Sequence, residues 1–205
     1  MTTQVVLASR NPGKAEELRR ILVESGLPVE LLGAEAFSDL PDIPETGATF
    51  TDNSKIKSEA VARHTGLIAI ADDSGLAVDA LNGMPGVLSA RWAGKAASNV
   101  RNLELVLEQV ADVPSGRRGA AFCCVATAAR VEPTGEVSFL VSEADVRGQL
   151  LREPRGTGGF GYDPIFQPDG YDITTAEMSS QDKDAISHRG QALTALAAQL
   201  AAWVG

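Results

Sequence analysis

Carboxylates and cations stand along this chain at positions that suit work on phosphate oxygens. Asp72 and Asp73 follow the apolar run Leu67 to Ala71 and lead into Ser74-Gly75. Adjacent carboxylates repel each other, and strand alternation directs them to different faces. One of them can enter a site, while the other accepts backbone N–H bonds and fixes a turn, the plainer role for either. The pair is expected at the carboxyl end of its strand, where open α/β sheets place their chemistry. Glu45, within Glu45-Thr46-Gly47, brings a further carboxylate from the preceding loop. Two or three carboxylates completed by phosphate oxygens and water form the hard oxygen shell that Mg2+ takes.

Ser9-Arg10-Asn11-Pro12-Gly13-Lys14 has the order of a strand end, a polar turn and a helix start. Free N–H groups and the positive end of the helix dipole meet at such a first turn and stabilise anions. Lys14 there opposes the dipole by roughly 0.3–1 kcal/mol, a cost that a bound anion reverses. The alternative is a surface lysine on an ordinary turn. The segment is not a Walker A loop, since Ala8 stands at the first glycine position and Ala15 at the Ser/Thr position.

A third group is Gly156-Thr157-Gly158-Gly159-Phe160-Gly161-Tyr162-Asp163-Pro164, answered downstream by Lys183 and Ser187-His188-Arg189. Glycine lets backbone N–H groups come close to a ligand, Phe160 offers a π-face, and Lys183, His188 and Arg189 donate to carbonyl or phosphate oxygens. Together they read as a pocket that stacks a flat ring and reads its edge. A tight turn whose Phe160 and Tyr162 plug the core competes with that reading. His64, alone at a helix end, reads as a cap or surface group.

These groups need a framework of alternating strands and helices. Val5 to Ala8 reads as a strand, and a helix follows from about Lys14 to Ser25, stopped by Gly26, with Leu18, Ile21, Leu22 and Ser25 on one face. Val29 to Leu32 reads as a second strand and the Pro-rich Asp39 to Glu45 as a loop. A helix is expected from about Phe50 to His64, ended by Thr65-Gly66, before the strand Leu67 to Ala71; extended structure resumes over Leu76 to Val78. Asn82 to Gly94 reads as irregular, and Val100, Leu103, Val106, Leu107 and Val110 mark an amphipathic helix from near Ser98. Ala120 to Val131 and Val137 to Val146 form a hairpin across Glu132-Pro133-Thr134-Gly135. Leu193, Leu196, Ala197, Leu200 and Val204 line one stripe of a final helix. The pattern is mixed α/β.

At 205 residues, 44% hydrophobic and 22% charged, the chain fits one large domain or two closely packed lobes. No apolar run approaches the ~20 residues of a membrane span, and Met1-Thr2-Thr3-Gln4 lacks a basic stretch and cleavage site, so a cytoplasmic protein without membrane attachment is expected. Cys123 and Cys124 are neighbours in an apolar run, which suits buried, reduced thiols better than a metal site or a vicinal disulfide. A net charge of -9 argues against nucleic acid as a partner, because a basic surface dominates that affinity. A phosphorylated ligand must therefore meet basic groups focused at one place.

Ser9 to Lys14, Glu45-Thr46-Gly47 with Phe50 and Asn53, Ala71-Asp72-Asp73-Ser74-Gly75-Leu76, Gly156 to Pro164 and Ser187-His188-Arg189-Gly190 together resemble the inosine triphosphate pyrophosphatase family. The motifs follow that family's order and spacing from about Gln4 to the final helix; each is weak alone, and the set is highly specific. Ser9 stands where many members have Thr and keeps the hydroxyl, while Arg10 and Pro12 fall at variable positions.

The resemblance implies a single nucleotide pyrophosphatase domain over residues 1–205, two-lobed and α/β, with a long twisted mixed β-sheet flanked by helices and an active cleft between the lobes. It also implies a homodimer that hydrolyses the non-standard purine nucleotides ITP, dITP and XTP to the monophosphate and pyrophosphate with Mg2+. In that scheme Asp73 is the general base, Glu45 and Asp73 hold the metal, and Ser9, Arg10, Asn11, Pro12, Gly13, Lys14 and Ser74 bind the phosphates, supported by Asn53, Lys57 and Asp72. Phe160 stacks the purine, and the backbone of Phe160, Gly161, Tyr162 and Asp163 reads its edge with Lys183, His188 and Arg189. A donor-lined pocket suits the 6-oxo acceptor of hypoxanthine and xanthine and leaves donors unpaired against adenine, a discrimination of roughly 10⁴ or more. A Maf-like pyrophosphatase of other base preference is disfavoured by Phe160 and Ser187-His188-Arg189, and a non-catalytic nucleotide sensor by the intact Glu45 and Asp73.

Overall fold

Local sequence accounts for where the helices start. The computed structural model describes residues 2–204, the Pro12 side chain excepted. Asn11 caps α1 (Pro12–Glu24), its side-chain oxygen accepting from Gly13 N at 2.9 Å. A reciprocal capping box opens α2 (Phe50–Thr65): Thr49 Oγ1 accepts from Asp52 N and Asp52 Oδ2 accepts from Thr49 N, both at 3.1 Å. Ser98 caps α3 (Asn99–Gln109), as its position ahead of the apolar repeat suggests. Ser179 caps α4 (Ser180–Ala185), a short polar helix with no apolar stripe to announce it. The last helix, α5 (His188–Val204), buries Leu193, Leu196, Ala197, Leu200 and Val204 along the expected stripe.

The strands are β1 (Thr3–Leu7), β2 (Val29–Gly33), β3 (Ile68–Val78), β4 (Gly119–Val131), β5 (Val137–Leu150) and β6 (Phe166–Pro168). They form one mixed sheet in the order β2-β1-β3-β4-β5-β6. β1 runs parallel to both its neighbours, with Val5 opposite Leu31 and Ile68, and β5 runs antiparallel to β6. The turn between β4 and β5 is closed by Glu132, whose N–H donates to Glu136 O and whose carbonyl accepts from Gly135 N, each at 2.8 Å.

One expectation is corrected here. Asp72 to Gly75 do not form a turn beyond a strand ending at Ala71; they lie in the middle of β3, which runs unbroken from Ile68 to Val78. Aspartate, serine and glycine disfavour strands, but each carboxylate meets cations on its own face of β3, Asp72 on Lys14 and Asp73 on Lys57. With both charges compensated inside the sheet, no turn is needed to carry them to solvent.

Two compact units divide the chain. The first comprises Met1–Asp73, Cys124–Ala144 and Arg189–Gly205, and its cores centre on Val5, Leu7, Leu18, Ile70, Leu196 and Leu200 and on Val6, Val61 and Ala69. The second comprises Ser74–Cys123 and Asp145–His188, around Leu76, Val78, Val106, Tyr162, Ile165 and Phe166. β3, β4 and β5 each contribute residues to both. Cys124 is buried and Cys123 half-buried, neither in a disulfide, and burial pushes the Cys124 thiol up, which disfavours the reactive thiolate. No helix among the described residues is long and apolar enough to cross a membrane.

Candidate active site

The first unit gathers the turn from Ser9 to Lys14, the carboxylates Glu45, Asp72 and Asp73, and the cations Lys14, Lys57 and Arg189. Lys14, in the first turn of α1, donates to both oxygens of Asp72, at 2.7 and 2.9 Å. Arg189, in the first turn of α5, donates from Nε to Asp72 Oδ2 at 3.1 Å and lies 3.8 Å from Glu17. Burial drives the Asp72 carboxyl up, but the charges of Lys14 and Arg189 outweigh it and hold the group at about 2. Asp72 is an ionised counter-ion at any working pH.

Asp73, the next residue of β3, faces different partners. Its Oδ1 accepts from Lys57 Nζ at 3.0 Å and its Oδ2 from Asn53 Nδ2 at 3.1 Å. Burial raises its pKa, and Lys57 and Asn53 only partly offset that rise. The two neighbours thus diverge: Asp72 is a weak base, and Asp73 is the stronger proton acceptor. Lys57 also donates to Glu45 Oε1 at 3.0 Å. Burial works against the Lys57 charge, yet Asp73 and Glu45 prevail and raise its pKa, so it stays an ammonium. Asn53 and Lys57 sit one helical turn apart on α2, the spacing that places both over one carboxylate.

Asn11 is spent on capping α1, and Ser9 Oγ accepts from Asn11 N at 3.2 Å, so the turn is internally braced. Arg10 donates to Asp42 at 2.9 Å and to Leu40 O at 3.0 Å, tying the loop that leads to Glu45 onto the turn. A pocket of about 140 Å³ opens here, lined by Ser9, Arg10 and Lys57 together with Leu40, Asp42 and Ile43 of that loop. Glu45 and Asp73 converge on one ammonium, which shows that their oxygens can share a cation. Among the described residues no cluster of three or more His, Cys, Asp or Glu could hold a metal unaided. Two carboxylates completed by substrate oxygens and water do fit Mg2+.

The second unit builds the glycine loop. Gly159 has φ +69°, and a Cβ there would stand 2.1 Å from Asp163 Oδ2. That space is taken by a buried carboxylate accepting from Phe160 N at 2.7 Å, Thr175 Oγ1 at 2.8 Å and Lys183 Nζ at 2.5 Å. Lys183 Nζ also lies 5.2 Å from the centroid of the Phe160 ring. Phe160 is 65% exposed, so it does not plug the core; Tyr162 does, donating from its hydroxyl to Ser89 O at 2.8 Å. An exposed ring beside a fixed ammonium suits a flat aromatic ligand carrying an acceptor. His188 stacks on Phe122, centroids 5.2 Å apart and planes 10° from parallel.

The expected residues therefore fall into two sets. Ser9, Arg10, Asn11, Gly13, Lys14, Glu45, Asn53, Lys57, Asp72 and Asp73 lie in the first unit, and Ser74, Phe160, Gly161, Tyr162, Asp163, Lys183 and His188 in the second. The Pro12 side chain lies outside the described residues. Arg189 belongs to the first unit and has Asp72 and Glu17 as partners. Glu17 and Thr175 join these residues without any mark in the sequence, because their partners, Arg189 and Asp163, lie outside their own segments. His64 meets Asp39 at 3.2 Å, the surface role its position suggests.

Fold and site define an α/β protein in which two adjacent strand carboxylates are held by cations from the first turns of α1 and α5 and from α2. The profile of the Ham1 family matches residues 5–199, and the chain belongs to that family. It is 51% identical over 194 residues to the dITP/XTP pyrophosphatase of Streptomyces coelicolor, covering 95% of each chain. Among solved structures it is similar to a HAM1 protein from Coxiella burnetii, with a TM-score of 0.89 and 42% identity over 97% of this chain and 98% of that one. It is also similar to the nucleoside-triphosphatase, or dITP/XTP pyrophosphatase, of Mycobacterium abscessus, with a TM-score of 0.80 and 50% identity over 95% of this chain and 97% of that one.

Proposed function

We propose that the protein hydrolyses dITP, XTP and ITP to the nucleoside monophosphate and pyrophosphate, clearing non-standard purines from the nucleotide pool. The observation that carries this reading is the divergence of two adjacent carboxylates: Asp72 is bound by Lys14 and Arg189 as their counter-ion, whereas Asp73 lies between Lys57 and Asn53, where burial raises its pKa. Full-length similarity to dITP/XTP pyrophosphatases supports the substrate class.

Asp73 takes a proton from water as its oxygen attacks the α-phosphorus, and the bond from that phosphorus to the bridging oxygen breaks, releasing pyrophosphate with the electron pair. Asn53 and Lys57 fix both Asp73 oxygens, so the base is oriented before substrate arrives. The N–H groups at the start of α1 and the ammonium groups of Lys14 and Lys57 offset charge growing on the phosphate oxygens. Asp72 and, through it, Arg189 hold Lys14 in place. Glu45 and Asp73 would hold Mg2+, which supplies further compensation for the leaving group when bound. Phe160 stacks the purine, and the Lys183 ammonium, steadied by Asp163, donates toward the 6-oxo edge. The family resemblance supports a homodimer acting in the cytoplasm.

Product analysis under Mg2+ tests the reaction. ITP, dITP and XTP are expected to give monophosphate and pyrophosphate in one step, with GTP and ATP turned over far more slowly. Orthophosphate released stepwise through a diphosphate would overturn the assignment, and binding of ITP without turnover would favour the sensor reading.

A further inference from the structure

The polar groups of the segment Thr174-Thr175-Ala176-Glu177 are directed at the loop that presents Phe160. Thr174 is fully buried and donates from Oγ1 to Arg155 O at 2.9 Å, at the entrance of that loop. Its own N–H donates to Glu177 Oε2 at 2.8 Å, and the same carboxylate oxygen lies 3.4 Å from Arg155 Nε. Thr175 Oγ1 donates to Asp163 Oδ1 at 2.8 Å, bracing the carboxylate that holds Phe160 N and Lys183. Ala176 O accepts from Gly158 N at 3.0 Å. The packing is close, since a Cβ at Gly156 would stand 2.6 Å from the carbonyl carbon of Ala176. Arg155 N donates to Pro164 O at 2.8 Å and ties the two ends of the loop together.

Four glycines lie in that loop, at 156, 158, 159 and 161, and such a chain left to itself samples many conformations. Ordering it on binding would subtract from affinity, whereas ordering it beforehand removes that loss. We infer that Thr174 to Glu177 form a positioning clamp that pre-shapes the purine loop, with the Thr174 hydroxyl and the Glu177 carboxylate as its working groups. This rests on the reading of Phe160 as the purine platform. The clamp touches neither phosphate nor metal residues, so loosening it lowers the fraction of loops competent to take a base. KM rises by the inverse of that fraction, and kcat, set at the phosphate end, holds.

Thr174→Val keeps the buried shape and removes the hydroxyl. For ITP we expect KM to rise about 10-fold with kcat within about 2-fold, inhibition by tripolyphosphate, which has no base, unchanged, and KM restored in Thr174→Ser. Glu177→Ala, on the exposed side of the clamp, should raise KM in the same direction by about 3-fold, and it carries the test if Thr174→Val does not fold. Phe160→Ala separates the two readings. If it leaves the KM for ITP unchanged, the purine platform is misplaced; if it raises KM while folded Thr174→Val and Glu177→Ala do not, the clamp alone is wrong. A fall in kcat at constant KM, or weaker tripolyphosphate inhibition in parallel with KM, would also overturn the clamp.

Discussion

Asp73→Asn is expected to lower turnover of ITP by roughly 10² or more, the usual share of general-base catalysis, in a variant that folds like its parent. Asparagine keeps the outline of the side chain between Lys57 and Asn53. It can neither accept the proton of the attacking water nor lend a charge to a metal. The stability side follows from the sign of the pKa shift. Burial raises the Asp73 carboxyl, so the folded state disfavours the very charge that the substitution removes. Lys57 keeps Glu45 as an anionic partner. The measurement is kcat on ITP beside the thermal midpoint. Near-parental turnover in a folded Asp73→Asn variant would remove Asp73 from the chemistry.

Asp73 stands out in the sequence only as one of a pair, and how far such features were legible depends on the range of the forces behind them. The helix starts near Lys14, Phe50 and Ser98 are legible because what fixes them is local: Asn11, Thr49 and Ser98 act on backbone within three residues. The final helix was readable because its stripe repeats at helical period. β3 departs from its sequence pattern at Asp72 to Gly75, where local preference favours a turn and distant cations decide otherwise. The same limit hides Arg189's partner, since Asp72 lies 117 positions away and nothing local marks the pairing. α4 and β6 are too short to show a period. Phe160 and Tyr162 look alike in sequence, and only packing shows that one ring is exposed and the other fills the core. Thr174 to Glu177 carry no pattern that marks them in the sequence, because their role lies wholly in what they hold.

Asp72→Asn fails in the opposite way from Asp73→Asn, through stability. Lys14 and Arg189 both donate to this nearly buried carboxylate, and Arg189 is itself only 14% exposed. Neutralising their shared partner leaves buried cations poorly compensated, with Glu17 at 3.8 Å too distant to take over. Loss of one partner from a buried ion pair costs about 3–5 kcal/mol, which lowers the thermal midpoint of a chain this size by roughly 10 °C. The pH dependence supplies a signature. Asp72 is held at about 2 against an ordinary value of 3.8, so its contribution is complete above the unfolded value and is lost as pH falls through the folded one. That shift corresponds to roughly 2.5 kcal/mol. In urea titrations, the stability difference between parent and Asp72→Asn should be level near neutral pH and narrow as pH falls from about 4 to about 2. A variant as stable as its parent at neutral pH, or a difference that persists undiminished down to about pH 2, would show that Asp72 is not the counter-ion that holds Lys14 and Arg189 in place.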